Sequence, residues 1–287
     1  MKKLTDGFTL SNGVQIPCIG YGTWKTPDGN VTYEGVKQAL ENGYRHIDTA
    51  FVYKNEASVG AALKDSGIAR EEIFVTTKQW VTSRGYEATL EACENSLKAL
   101  QLDYLDLYLV HWPCVEKYKA DWKEINAETW RGFEKLYRDG KVRAIGVSNF
   151  QQRHLVALKE YAEVLPMIDQ VEFHPGYLQK EDVRYAQAEG ILPQAWSPLG
   201  NGAILQNETL RTIAEKHGKT TAQVCIRFCL QMGVLPLTKS LKPERMVENV
   251  QVFDFELSSE DMQQIEAMPQ CGFTGLLPEE APHDMKK

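Results

Sequence analysis

Short apolar runs alternate along this chain with stretches whose apolar residues recur every three or four positions. The runs 16–20, 45–49, 73–77, 105–110, 144–147, 168–173, 192–196 and 234–238 predict eight strands. Most are continuous rather than alternating, as expected of parallel strands covered on both faces. Between them lie helical stripes. Val36, Ala39 and Leu40 share one face, as do Val59, Ala62 and Leu63. Leu90, Cys93, Leu97 and Leu100 form a longer stripe, and Trp130, Phe133 and Tyr137 another that stops at Gly140. Leu210, Ile213, Ala214 and His217 run up to Gly218, a helix C-cap signal, and Ser258 to Asp261 reads as a capping box. Eight strands alternating with helices over about 250 residues predict an α/β fold, a (β/α)8 TIM barrel. A doubly wound sheet is the alternative architecture. Ahead of the first strand, Phe8 to Val14 carries Asn12-Gly13 and predicts an N-terminal β-hairpin that could plug the barrel bottom.

Composition narrows the class. The 287 residues are 43% apolar and 25% charged, a globular balance that excludes disorder or coiled coil as the main organisation. No mid-chain linker or composition shift divides the chain, so residues 1–287 are expected to form one domain. The net charge of −7 opposes non-specific binding to nucleic acid or anionic membranes. No run of about 18 apolar residues predicts a membrane span. The segment Met1 to Gly7 has no following apolar region and is not read as a signal peptide. The six cysteines, including Cys114, form no CxxC pair and are expected to be reduced in a cytoplasmic protein. No metal site is expected.

In a barrel of this type the chemistry collects at the C-terminal ends of the strands. Those ends carry Gly22-Thr23-Trp24, Asp48 with Tyr53 just beyond, Lys78, His111, Ser148-Asn149, Gln170, Trp196-Ser197 and Lys239-Ser240. Asp48, Tyr53, Lys78 and His111 are four titratable residues that could converge. A phenol is a weak acid near neutral pH, and a neighbouring ammonium is expected to lower its pKa. A carboxylate would hold the ammonium in place. Such a set suits a carbonyl reductase, which must protonate oxygen as hydride reaches carbon.

Other motifs fail. No GxGxxG follows a strand, and His217-Gly218-Lys219-Thr220 lacks the first glycine of a phosphate loop because Ile213 stands there. Ala195 to Leu199 lacks the first glycine of a nucleophile elbow. His46 and Asp48 are expected to face opposite sides of their strand, which sets aside a metal-dependent hydrolase.

Three longer motifs then carry a resemblance. Gly43 to Ala50, Gly140 to Phe150, and Thr238 to Arg245 followed by Glu248-Asn249 occur in the order found in aldo-keto reductases. Leu109 to Pro113 and Ala195 to Leu199 are similar to the prokaryotic branch with diketogluconate and methylglyoxal reductases. The resemblance implies a (β/α)8 barrel that reduces carbonyl compounds with NADPH, its partner a small-molecule carbonyl substrate, with no obligate protein partner. It implies Tyr53 as general acid, tuned by Lys78 and Asp48, with His111 orienting the carbonyl. Ser148, Asn149 and Gln170 would bind the nicotinamide carboxamide, with Trp196 against its ring. Gly22, Thr23 and Trp24 would border cofactor and substrate, and Ser197, Leu199 and Gly200 would follow the pyrophosphate. Lys239, Ser240 and Arg245 would hold the 2′-phosphate, with Glu248 and Asn249 near the adenine. Trp24, Trp80 and Trp112 would shape the substrate pocket with Tyr53 and His111. Phe273, Leu276 and Leu277 would fold over the same mouth. A non-catalytic NADPH-sensing subunit of the same fold is the alternative function.

Overall fold

The computed structural model describes residues 1–113, 120–274 and 277–278. Cys114 and Leu276 lie outside them. The described chain opens with a hairpin, β1 (Gly7–Thr9) paired antiparallel with β2 (Gln15–Pro17), Phe8 opposite Ile16. Its turn is closed by Leu10 N–H donating to Val14 O at 2.9 Å, and Gly13 takes φ 86°, which a glycine adopts without strain. Asn12 at the tip donates to the carbonyl of Arg143 at 2.9 Å, at the start of a barrel strand. The hairpin therefore covers the N-terminal mouth of the barrel, as expected.

Eight parallel strands close the barrel: β3 (Gly20–Gly22), β4 (His46–Asp48), β5 (Phe74–Gln79), β6 (Leu105–Val110), β7 (Val142–Ser148), β8 (Ile168–Glu172), β9 (Leu192–Trp196) and β10 (Leu235–Thr238). They follow one another in chain order, and β10 returns to pair with β3 through Leu237 and Gly20. Closure excludes the doubly wound alternative. β3 is the one strand displaced from its expected place. The apolar run that suggested 16–20 is shared out: Ile16 belongs to the hairpin, and the barrel strand begins only at Gly20. A Cβ at Gly20 would stand 2.4 Å from the Leu237 side chain and 2.7 Å from the His46 ring. The strand needs glycine there, and glycine hides it from a hydrophobicity pattern.

The stripes at 36–40, 59–63, 90–100, 130–137 and 210–217 fall in helices, the capping box at 258–261 opens one, and four further helices among the described residues lie outside the predicted stripes. α1 (Asn30–Glu41), α2 (Glu56–Asp65), α3 (Tyr86–Leu100) and α4 (Trp122–Arg138) follow the first four barrel strands, and α5 (Gln152–Lys159) and α6 (Lys180–Ala188) the next two. α7 (Glu208–His217) and α8 (Thr221–Gln231) lie between β9 and β10. α7 ends at Gly218 in the left-handed region, φ 62°. α9 (Pro243–Val250) and α10 (Ser259–Glu266) follow β10, and α10 starts with the predicted Ser258–Asp261 capping box. The apolar stripes turn inward: in α4, Trp130 and Phe133 are buried, and the Trp130 indole N–H donates to Val164 O at 2.9 Å. Every residue of β5 and β6 is buried, so neither strand shows the in–out alternation of a half-exposed one. No helix among the described residues is long and apolar enough to cross a membrane.

Candidate active site

β4 and β5 are paired with Asp48 beside Thr76, which puts Asp48 and Lys78 on the same inward face. The Lys78 ammonium donates to Asp48 Oδ1 at 2.5 Å and to the carbonyl of Thr49 at 2.8 Å. Both side chains are buried. Burial pulls the lysine below its ordinary pKa and pushes the aspartate above its own, each opposed by the partner charge. The other carboxylate oxygen, Oδ2, accepts from Gln170 Nε2 at 2.9 Å, across the barrel from β8.

His46 and Asp48 lie two residues apart, and period-two alternation places both inward. The expectation of opposite faces is corrected here. His46 is one layer deeper, its Nε2 3.0 Å from Thr76 Oγ1 and its ring edge-on to Phe74. Depth, not face, separates the two. Among the described residues no group of three or more His, Cys, Asp or Glu could hold a metal ion.

Tyr53 ends a short 3-10 turn, Phe51–Tyr53, that follows β4. The Lys78 ammonium lies 5.2 Å from the centre of its ring. His111, just beyond β6, meets the Tyr53 ring edge-on at 5.8 Å and the Trp80 ring at 5.1 Å. The four predicted residues therefore converge. Their electrostatics differ from expectation in one respect. The phenol is held well above its ordinary pKa, chiefly by burial and then by the Asp48 charge. Burial and the carboxylate, not the ammonium, set the direction. His111 is held well below its ordinary value by burial and by Lys78 and Arg84, so its imidazole is neutral at physiological pH. Its Nδ1 is buried without a hydrogen-bond partner.

A cleft of about 710 Å³ opens over these residues. Gly22, Trp24, Asp48, Tyr53, Trp80, His111, Trp112, Ser148, Asn149, Gln170, Trp196, Ser197, Leu199, Lys239 and Arg245 of the predicted set line it. Trp80, Trp112 and Val52 pack together as one apolar wall. Asn149 takes φ 63° and hinges the floor. It donates to His111 O at 2.9 Å and accepts from the Trp196 indole N–H at 2.8 Å. Ser148 donates to Gln170 O at 2.7 Å.

Thr23, Gly200, Ser240, Glu248 and Asn249 do not line the cleft. Thr23 is buried and holds the Asp48 carbonyl through its hydroxyl at 3.1 Å and its N–H at 3.0 Å. Gly200 is buried in a 3-10 turn, Gly200–Gly202. Ser240 Oγ accepts from Lys242 N–H at 3.0 Å. Glu248 accepts from the Thr220 hydroxyl at 2.7 Å, and Asn249 is buried. Phe273 stacks loosely on Tyr177 at 4.9 Å, while its neighbour Thr274 reaches the cleft wall. Thr274 N–H and Oγ1 donate to the buried Glu172 carboxylate at 3.2 and 2.9 Å, which anchors this part of the tail to β8.

Sequence reasoning missed Lys25, which lines the cleft beside Lys239 and lies 4.3 Å over the Trp24 ring. Burial and the Lys25 charge pull the Lys239 ammonium below its ordinary pKa. No carboxylate among the described residues pairs with Lys25, Lys239 or Arg245. Adjacency to Trp24 was the only signal for Lys25. The loop residues Asn201, Gly202 and Leu205, also on the wall, carried none.

The model of the aldo/keto reductase family matches residues 18–269. The chain is 53% identical to "Glyoxal reductase" of Bacillus subtilis (strain 168), over 96% of this chain and 98% of that protein. Among solved structures it is similar to MGS-M4, an aldo-keto reductase enzyme from a Medee basin deep-sea metagenome library. That match has a TM-score of 0.89 and 45% identity, over 97% of this chain and 100% of the other. It is also similar to a Bombyx mori aldo-keto reductase solved in complex with NADP, with a TM-score of 0.83 and 33% identity, over 90% of this chain and 91% of that one. The barrel, its closure and its convergent strand ends agree with these matches over nearly the whole chain: it belongs to the aldo/keto reductase family.

Proposed function

We propose that this chain reduces aldehydes and ketones to alcohols with NADPH. The observation that carries the reading is the buried Lys78–Asp48 pair beneath Tyr53 and His111, in a cleft that continues to three cations without acid partners among the described residues. The residues present fit the cofactor. Lys25, Lys239 and Arg245 form a donor set suited to phosphates. Trp196 offers an aromatic plane, and Ser148, Asn149 and Gln170 offer amide-binding groups beside it. When bound, the dihydronicotinamide supplies hydride to the carbonyl carbon.

Each protein group then has a task. The Tyr53 hydroxyl, kept protonated by burial, delivers the proton to the carbonyl oxygen. Neutral His111 donates a hydrogen bond to that oxygen and fixes its direction. Lys78 places positive charge beneath the phenol as it loses its proton, and Asp48 keeps the ammonium in place. Trp24, Trp80 and Trp112 exclude water and contact the apolar part of the substrate. The likeness to a glyoxal reductase supports small aldehydes, 2-oxoaldehydes among them, as substrates. A non-catalytic, sensing role has no such support.

The test is aldehyde-dependent loss of NADPH absorbance with glyoxal, methylglyoxal and simple aliphatic and aromatic aldehydes. Turnover with at least one class is expected. Absence of oxidation across the whole panel, in a protein that binds NADPH, would remove the catalytic reading.

A further inference from the structure

The polar floor of the cleft has a support that none of the groups above explains. Gln194 lies on β9 directly opposite Gln170 on β8 and is fully buried. Its Oε1 accepts from Gln170 Nε2 at 2.7 Å, while the same nitrogen donates to Asp48 Oδ2 at 2.9 Å. A primary amide nitrogen has two N–H bonds, and both are thereby spent inside the barrel. Gln170 lines the cleft, and the hydrogen-bonding group it has left to offer is its carbonyl oxygen. The Nε2 of Gln194 is itself buried with no partner. This amide is thus kept in the interior with only its oxygen in use, although an apolar side chain would carry no unpartnered N–H of its own.

We propose that Gln194 is a positioning residue that sets the polarity of Gln170: a donor toward Asp48 and an acceptor toward the cleft. The inference rests on the cofactor reading above, in which Gln170 meets the carboxamide. An acceptor at that point matches the carboxamide N–H bonds, and a reversed amide would present N–H to N–H. Without Gln194 Oε1, Gln170 has one internal acceptor instead of two. It can then turn its second N–H to the cleft.

The test separates the two halves of the cofactor. Gln194→Met keeps length and apolar volume but removes the acceptor. The dissociation constant of NADPH is expected to rise about five- to tenfold, the worth of one well-placed hydrogen bond. That of 2′-phospho-ADP-ribose, which lacks the nicotinamide, should stay within about twofold. In a Gln170→Met background the same substitution should add no further loss. Gln194→Leu provides a second acceptor-free variant if Gln194→Met does not fold. Unchanged NADPH affinity, or equal losses for NADPH and the fragment in a variant with wild-type melting behaviour, would overturn the assignment. Failure of the wild-type protein to bind NADPH more tightly than the fragment would instead overturn the cofactor reading on which it rests.

Discussion

At Tyr53 and Lys78 two physical effects compete. A cation 5.2 Å from the phenol ring favours phenolate, but burial and the Asp48 charge favour the neutral form, and they win. The residue is thereby kept as an acid rather than a base, which is the form reduction consumes. Tyr53→Phe is therefore expected to lower kcat by about 10²–10⁴-fold. The NADPH dissociation constant should stay within about threefold, because the hydroxyl is a chemical group and not an anchor; steady-state kinetics and a fluorescence titration check the pair. The Lys78–Asp48 pair makes a different prediction. Lys78→Met leaves a buried carboxylate without its cation and should cost about 3–5 kcal/mol in urea unfolding. Adding Asp48→Leu should recover most of that stability, and none of the activity. A double variant no more stable than Lys78→Met alone would show that the pair is not what the charge balance suggests.

At the scale of single elements, helix α5 shows a titratable group used as a cap. The N–H of Gln151 donates to His154 Nδ1 at 3.0 Å, closing the helix N-terminus. Only a neutral imidazole accepts such a bond. Burial, with a smaller effect of Arg153, pulls His154 down to about 3. The unfolded chain binds this proton near pH 6.5, so acidification below that value favours unfolding until the folded group titrates as well. His154→Gln keeps an acceptor that does not titrate. Below pH 6.5 the variant should gain on wild type by about 1.4 kcal/mol per pH unit, read from denaturant melts at several pH values. A constant difference between the two proteins would place the proton elsewhere. The same scale shows what sequence patterning can and cannot read. β5 and β6 were legible because all their side chains are buried, and α7 because Gly218 marks its end. β3 was misplaced because its two glycines look like turn residues, and Ile16 supplied a false start. Asp48, Tyr53, Lys78 and His111 were legible as ends of strands. Lys25 was not, since only the folding of two loops brings it beside Lys239. The direction of the Tyr53 pKa needed the burial that only packing reveals.

For the molecule as a whole, charge is unevenly placed. The net charge is −7, yet the cleft ends among Lys25, Lys239 and Arg245. A phosphate-bearing ligand is repelled at long range and attracted at short range. Salt screens both effects, more strongly for the exposed cations. Arg245→Ala is expected to weaken NADPH binding about ten- to a hundredfold and to leave NADH nearly unchanged, since a charge-assisted hydrogen bond contributes about 1.5–3 kcal/mol. Titrations with both cofactors at low and high salt check this. Equal losses for the two would move Arg245 away from the 2′-phosphate. Barrel closure has a consequence for how the chain is made. β3 ends at Gly22, but its second neighbour, β10, ends at Thr238. On a ribosome adding about 5–20 residues per second, one edge of β3 waits roughly 10–40 s for its mate. A three-residue strand rich in glycine is a poor template for a stray chain, so one of the two shortest strands of the barrel stands where premature pairing would be most dangerous.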